Sequence, residues 1–484
     1  MSAVAGKNAS KTTSAVKAHR APESQQSSGG AAVVLVSALS AAFGTVLIMI
    51  VADLAAYFDA SGLSEIGQLA TVLGTIAALF FTIALFVGAV VTSNSVATVI
   101  AGRTKEIALL RLIGASGRSL RARTVREGLV QGASGAAAGA SLGVGLTALG
   151  AQLAITNGAL DPFPFPIVHP AVLAPVLAVT AATVIASWVG SRRVLTVSPI
   201  AATSAVAEPT MQELRAGRGR SVTAVILIAL GVAMLVGGVF LGLSSPTGVL
   251  VSVVGGMFSF VGVVIGSPVI LPPLMSLSGR ALGRGPVTRL AAANPVRNPA
   301  RSSRAVIGLV IGITLVTMFA VATETFRAIT LEFGQMEPEM YAAFEQVIDV
   351  TTAIMSVLLG FSVLLAAVGM VNTLSLSVMQ RKRELGLLRA LGFTAGQVRR
   401  MIVTEAVAMI ASSALFGLLL GVFYGWVGAQ ATFGSLVGRL VLPSIPWVTV
   451  AAVLIVTLLI TVAASLLPAR RATRVSPVAA LAVD

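Results

Sequence analysis

Glu106 and Arg111 stand five residues apart in the segment Arg103-Thr104-Lys105-Glu106-Ile107-Ala108-Leu109-Leu110-Arg111-Leu112-Ile113-Gly114. The same pair recurs as Glu384 and Arg389 in Arg381-Lys382-Arg383-Glu384-Leu385-Gly386-Leu387-Leu388-Arg389-Ala390-Leu391-Gly392. A carboxylate and a guanidinium on one short, helix-prone stretch between apolar runs suit recognition of something outside a membrane, not bond-making. No other cluster resembles a catalytic dyad or a metal site. The chain has no cysteine, which excludes disulfides and thiolate metal sites. His19 and His169 cannot build a histidine site by themselves. No Gly-x-x-x-x-Gly-Lys-Ser/Thr loop is present, and Gly6-Lys7 lacks both the upstream glycine and the following hydroxyl. ATP is therefore not bound in the P-loop manner, and no cofactor is expected on this chain.

The elements that must carry these segments are membrane spans. The 484 residues are 56% hydrophobic and only 11% charged, with a mean hydropathy of +0.95. That is too little charge to cover a soluble protein of this size. Ten apolar segments are long enough to cross a bilayer as helices: 32–57, 68–98, 128–154, 171–190, 221–243, 248–275, 304–326, 346–377, 405–430 and 447–467. Residues 1–30 are rich in Ser, Ala, Gly and Lys and read as a disordered tail, too polar for the start of a cleaved signal.

The net charge of +15 could suggest nucleic acid, but its placement explains it otherwise. Arginine and lysine concentrate in the 103–126 and 378–404 loops, the 191–220 and 276–303 linkers and the C-terminal tail. The intervening loops 58–67, 155–170 and 244–247 hold none, and 327–345 and 431–446 hold one each. This alternation places both termini in the cytoplasm and removes the need for nucleic acid.

The two charged segments belong to an internal repeat. Glu384 follows Glu106 by 278 positions. Asn94 and Asn372, Gly114 and Gly392, Glu127 and Glu405, Gly139 and Gly417, and Gly143 and Gly421 keep the same spacing. So do Arg192-Arg193 with Arg470-Arg471 and Val197-Ser198-Pro199 with Val475-Ser476-Pro477. Residues of about 94–199 thus repeat at 372–477 without a gap. Four spans per unit, with both ends on one side, make the repeats parallel. The expected organisation is a first repeat over 31–200, a linker with two spans over 201–290, and a second repeat over 291–484.

Each charged segment predicts a short helix at the membrane surface, broken by Gly114 or Gly392. A second basic helix, Arg118 to Arg126, is expected after the first and before span three; Gln397 to Arg400 is its counterpart. Asn94 and Asn372, near the inner ends of spans two and eight, are candidates for holding the charged segment to its span. Gly132, Gly135, Gly139 and Gly143 predict a packing face on span three. Asp53, Glu324 and Asp349 fall at outer span ends, where hydration explains them, and Phe163-Pro164-Phe165-Pro166 reads as a stiff outer loop.

A span with a polar Asn leads into Arg-x-x-Glu-Ile/Leu-x-Leu-Leu-Arg. A glycine, a basic helix, two spans, Arg-Arg and Ser-Pro follow. This order resembles the FtsX-like permease family, which includes MacB-type ABC transporter permeases. The resemblance implies an all-α polytopic protein of ten spans in a bacterial plasma membrane, with two parallel four-helix repeats and two linking helices. It also implies that the segment after the second span of each unit is a coupling helix docked on a separate ABC ATPase. Two ATPase copies are expected, with ATP and Mg on them. On this chain the ATPase contact would fall at Glu106, Leu110, Arg111 and Gly114, and at Glu384, Leu388, Arg389 and Gly392. Loops 58–67 and 327–345 are too short for the large extracytoplasmic domain of many members. The first copy lacks the Pro-marked lead-in Asn294-Pro295-Val296-Arg297-Asn298-Pro299. The expected function is export or extraction of a lipid-like or amphipathic peptide cargo, with membrane lipids and an accessory extracytoplasmic protein as further partners. The alternatives are a mechanotransmitter that moves nothing and an ion-coupled secondary transporter.

Overall fold

A computed structural model of the chain describes residues 23–60, 67–102, 104–157, 169–196, 218–283, 285–336 and 392–452, with scattered single positions elsewhere. Among these residues there is no strand. The helices are α1 (Glu23–Ala60), α2 (Gly67–Gly102), α3 (Thr104–Leu112), α4 (Gly117–Thr156), α5 (Leu173–Gly190), α6 (Arg192–Thr196), α7 (Arg218–Gly242), α8 (Gly248–Ala281), α9 (Pro286–Arg297), α10 (Pro299–Met336) and α11 (Ala395–Phe433). Seven segments are long and apolar enough to span a membrane: Val33–Asp53, Gly117–Leu153, Pro170–Gly190, Gly219–Gly242, Gly248–Ala281, Ser302–Gln335 and Val403–Leu436. A shorter apolar stretch, Phe81–Ala97, lies within α2. Eight of the ten expected spans are therefore described helices. The eighth span, 346–377, lies almost wholly outside the described residues, and of the tenth only the first turns are described. The chain is an all-α polytopic membrane protein.

α4 differs from expectation. The basic stretch Arg118–Arg126 is not a separate helix: it forms the first turns of one continuous helix of 40 residues that runs on through span three. Its composition changes from basic to apolar, but nothing in it stops the backbone ladder. The 276–303 linker likewise contains a helix, α9, which starts at Pro286, carries Pro295 in its interior and runs across residue 290. Residues 1–22 of the expected tail, Phe163–Pro166 and Asp349 lie outside the described residues.

Within the first repeat α1, α2, α4 and α5 pack on one another; in the second, α10 packs along α11. The hairpin of α7 and α8 joins them and lies mainly against α11 and α10. α10 is the most buried of the long helices. Its run Val306, Ile307, Val310, Ile311, Leu315 and Phe319 is apolar on several faces, as a helix enclosed by others requires. It meets Phe43, Leu47 and Val87 of the first repeat and Phe260 and Leu271 of α8 in one core.

Small residues set the helix separations, which is how helices associate in lipid. The expected glycine face of α4 divides between two neighbours. Gly132 faces Thr183 of α5, while Gly135, Gly139 and Gly143 face Val34, Ala38 and Ala42 of α1. A Cβ on Gly139 would stand 2.0 Å from the Ala38 carbonyl oxygen. The second repeat reproduces this contact: Gly417 faces Val310 and Ile313, and Gly421 faces Thr314 and Thr317. The glycines keep the spacing of 278, whereas Ala38 and Val310, Ala42 and Thr314, and Thr45 and Thr317 are 272 apart. The duplication therefore includes the first span, and the second copy holds six more residues between its first and third spans.

Candidate coupling interface

α3 is a nine-residue helix between the ends of α2 and α4. Glu106 in its first turn and Arg111 in its last both oppose the helix dipole's partial charges. The helix closes in a Schellman motif: the Ala115 N–H reaches the Leu110 carbonyl at 2.9 Å and the Gly114 N–H reaches the Arg111 carbonyl at 3.2 Å. Gly114 supplies the left-handed residue, at φ +102, and Gly392 adopts φ +97 at the corresponding position. A hydroxyl residue then caps each following helix. The Ser116 side chain accepts from the Ser119 N–H at 3.1 Å. The Thr394 side chain accepts from the Gln397 N–H at 3.2 Å. Both repeats thus use one device, a glycine turn followed by a capped long helix.

α3 has two apolar faces. Ile107 and Ala108 are buried, and Ile107 packs with Val33, Val96, Ile100, Val194 and Leu120. Leu109, Leu112 and Ile113 point away from the protein and are 55%, 51% and 82% exposed. Leu110 and Arg111 are half-buried, and Glu106 is exposed. Of the expected contact residues, Glu106 and Gly114 therefore lie on accessible surface, while Leu110 faces a cavity of about 300 Å³ behind the helix. Glu106, Arg123, Glu127 and Gln131 line that cavity too. Arg123 pairs with Glu127 at 3.0 Å across one turn of α4. Asn94 is half-buried, two turns before the end of α2. Glu384, Leu388, Arg389 and Asn372 lie outside the described residues; Gly392 is the described member of the second set.

The outward apolar triplet is the feature that reading the sequence missed. Its signal was present, since Leu387, Ala390 and Leu391 keep the 278 spacing to Leu109, Leu112 and Ile113. These three exposed aliphatic side chains form one apolar patch at the tip of a polar turn. Among the described residues no group of three metal-binding side chains comes together. His169 caps a 3₁₀ turn at Pro170–Val172 through Nδ1.

These features define a polytopic membrane protein built on a tandem repeat, with a surface turn presented by each copy. The FtsX-like permease C-terminal domain matches it twice, over residues 78–199 and 356–477, together half of the chain. The chain belongs to the FtsX-like permease family. It is 33% identical over 144 residues to an uncharacterized ABC transporter permease, YknZ, of Bacillus subtilis, covering 30% of this chain and 34% of the relative. It is 27% identical over 168 residues to an uncharacterized ABC transporter permease of Methanocaldococcus jannaschii, covering 33% and 42%. A macrolide export ATP-binding/permease protein MacB of Nitrobacter winogradskyi is 33% identical over 130 residues, covering 27% and 19%. The chain thus matches less than half the length of each of these relatives.

Proposed function

We propose that this chain is the transmembrane subunit of an ABC transporter and that α3 and its counterpart are the points where a separate ATPase pushes. The observation that carries this reading is the exposed Leu109, Leu112 and Ile113 surface, locked by the Gly114 turn onto a helix that continues through the membrane. A push on α3 enters α4 without an intervening hinge, because the basic turns and the span are one helix. Rigid-body tilting of each repeat then carries the motion across the bilayer. Two repeats call for two ATPase copies, each binding ATP and Mg, on the cytoplasmic side where the arginine-rich loops gather. ATP sites are assigned to the partner because this chain has no P-loop sequence. Export or extraction of a lipid-like or amphipathic peptide is the cargo class that short outer loops and an apolar interior suit best.

The test is co-purification with the ATPase and its turnover in the complex. Replacing Leu109 and Ile113, with Leu387 and Leu391, by Ser removes the outward apolar surface and leaves the buried face intact. The expected result is loss of the ATPase from the purified complex. Replacing Glu106 and Glu384 by Gln is expected to weaken coupling with less effect on assembly. Unchanged binding and unchanged turnover in both sets sink the reading.

A further inference from the structure

Where α5 leaves the membrane on the α3 side, two arginines meet one indole. Trp188 sits two residues before the end of the span Pro170–Gly190 and is 47% exposed. The Arg121 guanidinium carbon, from α4, lies 4.4 Å from the centre of the Trp188 ring. That of Arg192, on α6, lies 5.0 Å from the same centre. Arg121 Nη2 donates to the Trp188 carbonyl oxygen at 2.8 Å, while its Nε is buried with no hydrogen-bond partner among the described residues. Among the described residues neither arginine pairs with a carboxylate; the neighbouring Arg123 takes Glu127. Two like charges gathered on one ring repel each other, and an anion beside them removes that repulsion. A buried Nε–H without an acceptor is a costly donor to leave unmade.

The surroundings name the anion's carrier. Leu173, Leu177, Ala181, Ile185 and Trp188 are all exposed and recur every three or four residues along one face of α5. That stripe faces lipid, and Trp188 ends it at the height where tryptophan anchors to headgroups. A basic pocket at the end of a lipid-facing stripe has the geometry for an anionic headgroup whose acyl chain lies over Ile185. The second copy has the two arginines, Arg399 and Arg470, but Leu466 in place of the indole.

We propose that Arg121, Trp188 and Arg192 form a binding site for an anionic phospholipid headgroup in the leaflet on the α3 side. That leaflet is the cytoplasmic one under the orientation proposed above. A lipid titration reads the site whichever way the chain is inserted, so its outcome is independent of the transport reading. The full chain carrying Trp426→Phe and Trp447→Phe, with Trp188 as its one reporter, is placed in phosphatidylcholine nanodiscs. Brominated phosphatidylglycerol or brominated phosphatidylcholine is then added at equal mole fraction. Preferential quenching by the anionic lipid is expected, and each of Arg121→Gln and Arg192→Gln should lower that preference about five-fold. Equal quenching by the two lipids overturns the site, as does an unchanged preference in the double variant. Inorganic phosphate shifting Trp188 emission in phosphatidylcholine discs as much as phosphatidylglycerol does would overturn the lipid as its ligand. If the tryptophan replacements unfold the chain, native mass spectrometry of the wild-type and Arg192→Gln chains reads the same contrast, because Arg192 is exposed. Equal retention of phosphatidylglycerol by those two chains overturns the proposal.

Discussion

Glu127 and Glu405 hold the same place in the two repeats and live in different surroundings. Glu127 is exposed beside the α3 cavity and pairs with Arg123 on its own helix. Glu405 is 2% exposed and accepts a hydrogen bond at 3.1 Å from Asn294 Nδ2, on α9. Asn294 Oδ1 in turn accepts from Asn298 Nδ2 at 3.3 Å. The first copy's sequence lacks the Pro-marked segment that forms α9, and α9 covers Glu405 where Glu127 stands open. The far end of the second repeat is also tied down. Gln430 Nε2 donates to the Arg439 carbonyl at 2.9 Å, the Val441 N–H returns a bond to Gln430 Oε1, and Trp426 Nε1 donates to the Val441 carbonyl. Duplication therefore kept the glycine turn and diversified the packing behind it. The two halves are not mechanically equal: α11 is braced by a polar network at each end, and α4 backs onto a cavity.

The largest expected effect separates the two helix contacts. Gly139→Ala drives a Cβ into a backbone carbonyl, so α1 and α4 must move apart, at a cost of about 3 kcal/mol. Gly417→Ala meets the Ile313 side chain at 3.0 Å and the Val310 carbonyl oxygen only at 3.3 Å, and the gain in helix propensity of about 1 kcal/mol offsets most of the strain. Thermal unfolding in detergent should show a clear drop for the first and almost none for the second. Equal drops would mean that the repeats pack with equal tolerance. Next comes the acidic pair. Glu405→Ala empties a buried carboxylate position and leaves the half-buried Asn294 amide without this acceptor, and should cost about 2 kcal/mol. Glu127→Ala removes an exposed pair within one helix and should cost about 0.3 kcal/mol. Chemical unfolding midpoints that fall together would remove the asymmetry.

How much of this was readable in advance follows the range of the interactions. The 278 spacing, the glycine turns and the surface helix are local or periodic features, and Gly114 adopting φ +102 is what a helix-breaking glycine predicts. The buried state of Glu405 depends on Asn294, 111 residues away, and no local pattern contains it. Helical spacing on α3 showed apolar residues on a charged stretch, but periodicity does not say which of two apolar faces turns inward. Packing of Ile107 against Val33 and Val194 decides that, and it leaves Leu110 half-buried and Ile113 outward. The continuity of α4 was missed for a different reason: a change from basic to apolar composition was read as a break, although backbone hydrogen bonds do not depend on side-chain charge.

Two smaller effects test what the repeats share. Gly114→Ala and Gly392→Ala place a side chain where, among the described residues, nothing lies within 4 Å, so the expected cost is the backbone strain of positive φ, about 1–2 kcal/mol. It should be the same in both copies, and Asn should recover part of it. Unequal costs, read as Tm shifts, would mean that one turn is held by a neighbour.

The smallest contrast lies at the caps that follow these turns. Thr394 and Gln397 satisfy each other's backbone: Gln397 Oε1 accepts from the Thr394 N–H at 2.9 Å, completing a capping box. Ser119 takes the place of Gln397 in the first copy, and its hydroxyl turns back to the Ser116 carbonyl at 2.9 Å. That side chain is too short to reach the cap N–H, so α4 begins with one fewer satisfied donor than α11. Ser119→Gln should complete the box and stabilise the start of α4 by a few tenths of a kcal/mol, within the range that a single cap contributes. The readout is hydrogen exchange at the first amides of α4, which should slow while those of α11 stay unchanged. Exchange that does not slow would mean that the Ser116 backbone already has its acceptor. The brace at the second repeat would then come from α9 and Glu405 alone, with no share from the cap.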